Sequence, residues 1–316
     1  MTQPQGEVFD IGYQRYQGPR EGRWRSRMAM FENGVRTVLG LGRGGRAKIL
    51  PALLFIASIL PALIIVLIVS TTSELASPAG PAEYYDVISQ ILLIFAAIIA
   101  PELLIPDRRE RVLHLYLVRP ITFTDYLVSR VAAFLAVVLA LVFSGQIILQ
   151  IGMLLAVDDP VKYFREHWLD IPRFLASGAL IALFITLIPM AVAAFMARRA
   201  FATATVIGIW FVCATIFGAT SAQECNITRD PIGRPMGREC HYLVGDERAK
   251  WLPLIDVGSV PLHMNTLIFG KDRAQSGNGA VKQMAPVSPL VPIGWYTVLV
   301  AGPGLLLWWR YRRIRI

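Results

Sequence analysis

Six apolar runs, each about as long as a membrane-crossing helix, decide what this chain can fold into. They cover residues 49–70, 87–105, 127–157, 174–197, 201–220 and 290–309. A hydrocarbon core roughly 30 Å thick accepts such runs as helices, because a helix satisfies its own backbone hydrogen bonds. The chain is therefore read as an all-α polytopic membrane protein with six transmembrane helices. Composition agrees, since 55% of the 316 residues are hydrophobic and 17% are charged. The third run is longer than a span needs and is expected to tilt or project from the bilayer. The first 48 residues are polar and contain no apolar signal-peptide core, so the first span is expected to anchor the chain.

Orientation follows from the placement of basic residues. With both termini cytoplasmic, twenty of the 31 Lys and Arg residues fall inside, and the short first external loop has none. Most of the rest lie in one long loop, 221–289, that the rule hardly weighs. Both termini are thus expected in the cytoplasm of a multi-pass protein of the cell (plasma or inner) membrane. The net charge of +9 is explained by arginines facing anionic headgroups, so no nucleic-acid partner is expected.

Four regions result. Residues 1–48 form a cytoplasmic arm and a surface helix, and 49–220 hold spans one to five with a cytoplasmic loop at 106–126. Residues 221–289 are an external segment, and 290–316 give the sixth span and a basic tail. In the surface helix, Trp24, Met28, Phe31 and Val35 recur at helical spacing, with Val38 and Leu39 continuing the stripe. Such a helix lies in the interface, its apolar face toward acyl chains of membrane lipid and its arginines toward phosphates. The external segment is the least regular, and its apolar second half, broken by Pro253 and Pro261, reads equally as an exit cap or a lid. Cys225 and Cys240 both lie in it, in what should be an oxidising compartment, and are expected to form a disulfide.

Catalytic signatures are missing. The glycine cluster at 40–45 resembles a phosphate loop only superficially, because Lys48 precedes Ile49 and not Ser or Thr. The histidines never take zinc-ligand spacing, so no metal site is expected. Within the third span, Gln146 and Gln150 are four apart and share a face, which suits a neighbouring helix or a translocation path. Glu102 needs a partner or water, and Arg108, Arg109 or Arg130 stand near enough in sequence to be candidates.

The loop between spans two and three is unusually ordered: "PDRRERVLHLYLVRPITFTDYLVSR", residues 106–130. A charged cluster leaves the membrane, Val112, Leu113, Tyr116 and Leu117 recur at helical spacing, and Arg119-Pro120 breaks that turn. Thr122 and Asp125 then form a box-like helix start that runs on into the third span. This stretch resembles the cytoplasmic loop of ABC-2 type export permeases, with matching residues Glu110, Arg111, Val112, Leu113, Leu117, Pro120, Asp125 and Arg130. Two departures are an Arg-Val pair in place of Gly-Thr, and Arg130 in place of Lys.

The resemblance implies a permease subunit that moves a substrate outward and pairs with a second, identical or related permease. Two separate ABC ATPase subunits would bind ATP and Mg, while this chain itself binds no cofactor and is not an enzyme. Its ATPase-coupling residues would be Arg108, Arg109, Glu110, Arg111, Leu113, Leu117, Arg119, Pro120 and Asp125. The competing class is a membrane enzyme or scaffold that recruits another cytosolic protein.

Overall fold

The second span starts at a proline, six residues before its apolar run. Pro81 supplies the first helical residue, and the Glu83 carboxylate accepts the Gly80 N–H at 2.8 Å, so the helix opens with one of its free donors satisfied. The computed structural model describes residues 18, 22–42, 44–71, 80–110, 112, 116, 121–157, 159–229 and 235–313. Its elements in chain order begin with helices α1 (Arg23–Val38), α2 (Arg46–Thr71), α3 (Pro81–Arg109), α4 (Phe123–Ala156), α5 (Pro160–His167), α6 (Asp170–Phe195) and α7 (Arg199–Thr220). Strands β1 (Gln223–Arg229) and β2 (Pro235–Tyr242) follow, then helices α8 (Asp246–Ala249), α9 (Val260–Phe269), α10 (Gly279–Gln283) and α11 (Leu290–Arg312).

Among these, α2, α3, α4, α6, α7 and α11 are long and apolar enough to cross a membrane, which makes this a multi-pass, all-α membrane protein. At 1.5 Å per residue α4 extends about 51 Å, roughly 20 Å more than the hydrocarbon it has to cross. Helix α3 is central, with 72% of its most apolar window buried, whereas α7 is peripheral at 11%. Helices buried so little inside one copy must meet lipid or another subunit.

Two buried tyrosines hold the centre. The Tyr84 hydroxyl donates to the Ser58 carbonyl at 2.9 Å and that of Tyr85 to the Phe174 carbonyl at 2.7 Å, tying α3 to α2 and α6. Gly145 of α4 sits against the same spot. A Cβ there would lie 2.5 Å from the Ser58 carbonyl oxygen and closer still to the Tyr84 hydroxyl. Gly145→Ala is therefore expected to cost about 1–3 kcal/mol by overpacking. Gly208→Ala, with no heavy atom within 4 Å, should be neutral; thermal unfolding of the two purified variants measures the difference.

The segment after α7 is more regular than its sequence suggests. Strands β1 and β2 pair antiparallel with Cys225 opposite Cys240, and a disulfide joins the two. The turn after β2 is closed by Asp246, which accepts the Tyr242 N–H at 3.1 Å and meets His241 Nδ1 at 3.2 Å. Those two bonds, the backbone one foremost, hold its carboxyl below the usual carboxylate range. Maleimide should reach Cys225 and Cys240 only after reduction. Cys225→Ser should remove a staple worth about 3 kcal/mol for a loop of this length and leave the helices inserted.

Beyond the hairpin the chain folds back onto the bundle. Asp246–Leu254 and Val257–Phe269 form a pair bent by 73°, where the sequence places Pro253 and Pro261. Helix α9 is largely buried, with only the face of Met264, Leu267 and Ile268 half-buried. Its Asn265 donates to the Ala82 carbonyl of α3 at 2.9 Å and accepts the Ser177 hydroxyl of α6 at 2.7 Å. The segment thus closes the end of the bundle where α3 begins.

Candidate functional site

At the opposite end, where α3 finishes and α4 begins, polar side chains converge at the base of the loop. Helix α4 opens with a capping box: Thr122 Oγ1 accepts the Asp125 N–H at 3.3 Å, and Asp125 Oδ2 accepts the Thr122 N–H at 3.0 Å. Asp125 is 5% exposed yet holds two cations of α1. Arg23 reaches its Oδ2 through Nε at 2.7 Å, and Arg27 Nη2 reaches Oδ1 at 2.5 Å. One carboxylate therefore starts α4 and fastens α1 to it.

A second cluster ties α3 to α4. Arg130 donates to Asp107 Oδ2 at 2.7 Å and to Asn33 Oδ1 at 3.0 Å, and the Tyr126 hydroxyl donates to the same Asp107 oxygen at 2.7 Å. Side-chain exposure is 4% for Arg130 and 15% for Asp107, so the charges are paired largely away from water. The Tyr116 ring of the loop stacks on Tyr126 at 6.1 Å, and Tyr126 faces Tyr311 of α11 at 5.9 Å. An aromatic column thus runs from the loop to the last span.

Arg108 faces the other way. Its guanidinium donates to the carbonyls of Ala193 (2.7 Å), Ala194 and Met196 (2.5 Å), satisfying the free carbonyls at the end of α6 where the helix dipole is negative. Arg199, at the start of α7, lies 3.8 Å from Glu102. Through these contacts the ends of α3, α4, α6, α7 and α11 and the packed face of α1 are tied together at this end of the bundle.

Several sequence expectations map onto this end of the bundle and others do not. Arg108, Arg109, Glu110 and Asp125 are at the loop base, with Arg109 and Glu110 exposed. Arg111, Leu113, Leu117, Arg119 and Pro120 lie outside the described residues. Arg199 approaches Glu102, while two of the three candidates read from the sequence are engaged elsewhere, Arg130 with Asp107 and Arg108 with carbonyls. Sequence distance is a poor guide there, because a residue from the next span end can be closer in space than one from the same turn.

The apolar stripe of α1 divides in two. Trp24 (73% exposed) and Met28 face outward, and Phe31 is half-buried, whereas Val35 and Val38 pack inward with Met30 and Gly34. A Cβ on Gly34 would meet Ala133 Cβ at 2.6 Å, so glycine lets α1 approach α4 directly. Gln146 is fully buried with neither amide atom hydrogen-bonded within the described protein, and Gln150 Nε2 is in the same condition. Cys213 is a half-buried free thiol. Among the described residues no cluster of His, Cys, Asp and Glu could hold a metal ion.

Asp107, Asn33 and Tyr126 were not singled out from the sequence, and Tyr116 was read there only as part of an apolar turn. A tyrosine in each of the two helical pieces read from the loop was the available signal. No protein-family model matches the chain, and no curated protein matches its sequence.

Proposed function

We propose that this chain is the permease subunit of an ABC-2 type exporter, moving a substrate across the membrane with ATP hydrolysed by a separate ATPase subunit. Its termini and the loop at 106–126 face the cytoplasm, and it works as a dimer with an identical or related permease. The loop motif from Glu110 to Arg130 supports the family reading. The single observation that carries the mechanism is the shared base of that loop: Asp107, Asp125 and Arg130 join the ends of α3 and α4 to α1 by charge-assisted hydrogen bonds. A displacement applied to the loop is then delivered to two spans and the surface helix together, while Tyr116, Tyr126 and Tyr311 pass it to α11. A cleft of about 420 Å³ between α1 and the loop, lined by Arg25, Asn33, Tyr116 and Arg130 among others, gives a docking protein polar groups to engage.

Transport in this reading needs two packings of similar energy, with nucleotide bound to the partner biasing one over the other. Buried amides without partners, such as those of Gln146, are groups that gain by rearrangement or by contact with a polar substrate. The test is copurification. Leu117→Asp and Arg119→Glu are expected to abolish recovery of an ATPase with the permease while membrane insertion stays intact. Normal recovery in both variants would defeat the docking assignment.

A further inference from the structure

A groove of about 560 Å³ runs between the outward face of α1 and the first turns of α4. Its walls are Trp24, Met28, Phe31, Val128 and Ala132, and Arg27 and Asp125 stand at its polar edge. That volume falls in the range of roughly 300–1,000 Å³ typical of ligand sites. Trp24, Met28 and Val128 are exposed, so apolar surface is left uncovered beside a membrane span.

The polar edge carries an excess of positive charge. Among the described residues Arg23 and Arg27 share the carboxylate of Asp125, whose one negative charge is less than their two positive ones. The Arg27 side chain is 41% exposed where it lines the groove, so part of it is open to an anion entering there. An occupant that suits both halves has an alkyl chain for the walls and an anionic oxygen for the guanidinium.

We propose that this groove binds an anionic phospholipid of the surrounding membrane, with an acyl chain along Met28, Phe31 and Val128 and the phosphate at Arg27. The lipid completes the fastening of α1 to α4, because its headgroup supplies the second anion that two arginines on one carboxylate lack. This site is independent of any ATPase and stands or falls separately from the coupling role.

Trp24 at the lip provides the readout. The full-length protein is placed in phosphatidylcholine vesicles containing equal small fractions of brominated phosphatidylglycerol or brominated phosphatidylcholine. The Trp24 signal is taken as the difference from Trp24→Phe. Phosphatidylglycerol is expected to quench it at roughly fivefold lower mole fraction, the preference one basic residue confers near an anionic lipid. Arg27→Gln should make the two lipids equal, and Arg36→Gln, a cation elsewhere on α1 paired with Glu32, should leave the preference intact. Equal quenching in the wild type, a preference that survives Arg27→Gln, or no quenching by either lipid would overturn the proposal, the last showing the groove covered by protein. If Arg27→Gln fails to insert, Ala132→Phe narrows the groove from the α4 side. It should reduce quenching by phosphatidylglycerol, and unchanged quenching overturns the site.

Discussion

Asp125→Ala is expected to release α1 from the bundle and uncouple the loop from the surface helix. The substitution removes the carboxylate half of the α4 capping box, in which Oδ2 accepts the Thr122 N–H, worth about 1 kcal/mol, while Thr122 still accepts the N–H of residue 125. It also removes the carboxylate that Arg23 and Arg27 share. Both arginines are partly exposed and can rehydrate, so their bonds are valued at the low end, about 2 kcal/mol together. The expected loss is about 3 kcal/mol, concentrated at one contact. Limited trypsin digestion should then cut at Arg23, Arg25 and Arg27 much faster than in the wild type, while the spans remain protected. Asp125→Asn keeps a competent cap but not the charge, and should fall between the two. Wild-type digestion rates in Asp125→Ala would show that α1 is held without this carboxylate, by its packed face and the Arg130–Asn33 bond.

Arg130→Leu should have the largest effect on stability. It leaves Asp107 with Tyr126 as its one partner among the described residues, in a site largely closed to water, and breaking a buried pair from one side costs about 3–5 kcal/mol. Adding Asp107→Asn removes the stranded charge and should recover a good part of the loss, although each single change is damaging. Thermal unfolding of the two singles and the double in one detergent gives the coupling energy. Additive losses would mean that the two residues act independently, and the ends of α3 and α4 would not be linked as described.

The contrast between these clusters shows which parts of the molecule were legible. Spans follow from hydropathy because desolvation of some 20 apolar residues outweighs every local preference, and all six were found within a few residues of their apolar limits. Ends were harder: α3 begins at Pro81 because Tyr84 and Tyr85, polar enough to read as a loop, are buried by donating to carbonyls of neighbouring helices. The Thr122–Asp125 box was visible because capping is local in sequence. The Asp107–Arg130 pair was not, since two helices must first be packed at a given depth before their ends can meet. Likewise the face of α1 that docks on α4 is set by Met30 and Gly34, and only tertiary approach reveals why a small residue belongs there. Hairpin β1–β2 escaped because Gly, Pro and Arg in residues 223–242 mask the alternation that marks a strand.

The central claim is that force from a nucleotide-binding partner enters through the loop between α3 and α4. Its most direct measurement places a photoreactive phenylalanine at Tyr116 of the full-length protein, irradiates native membranes, and asks whether the polypeptide joined there takes up azido-ATP label. The account predicts a cross-linked, ATP-binding partner that disappears in Leu117→Asp. A cross-linked partner that binds no nucleotide, or a cross-link at Tyr116 to a protein added outside intact cells, would contradict it.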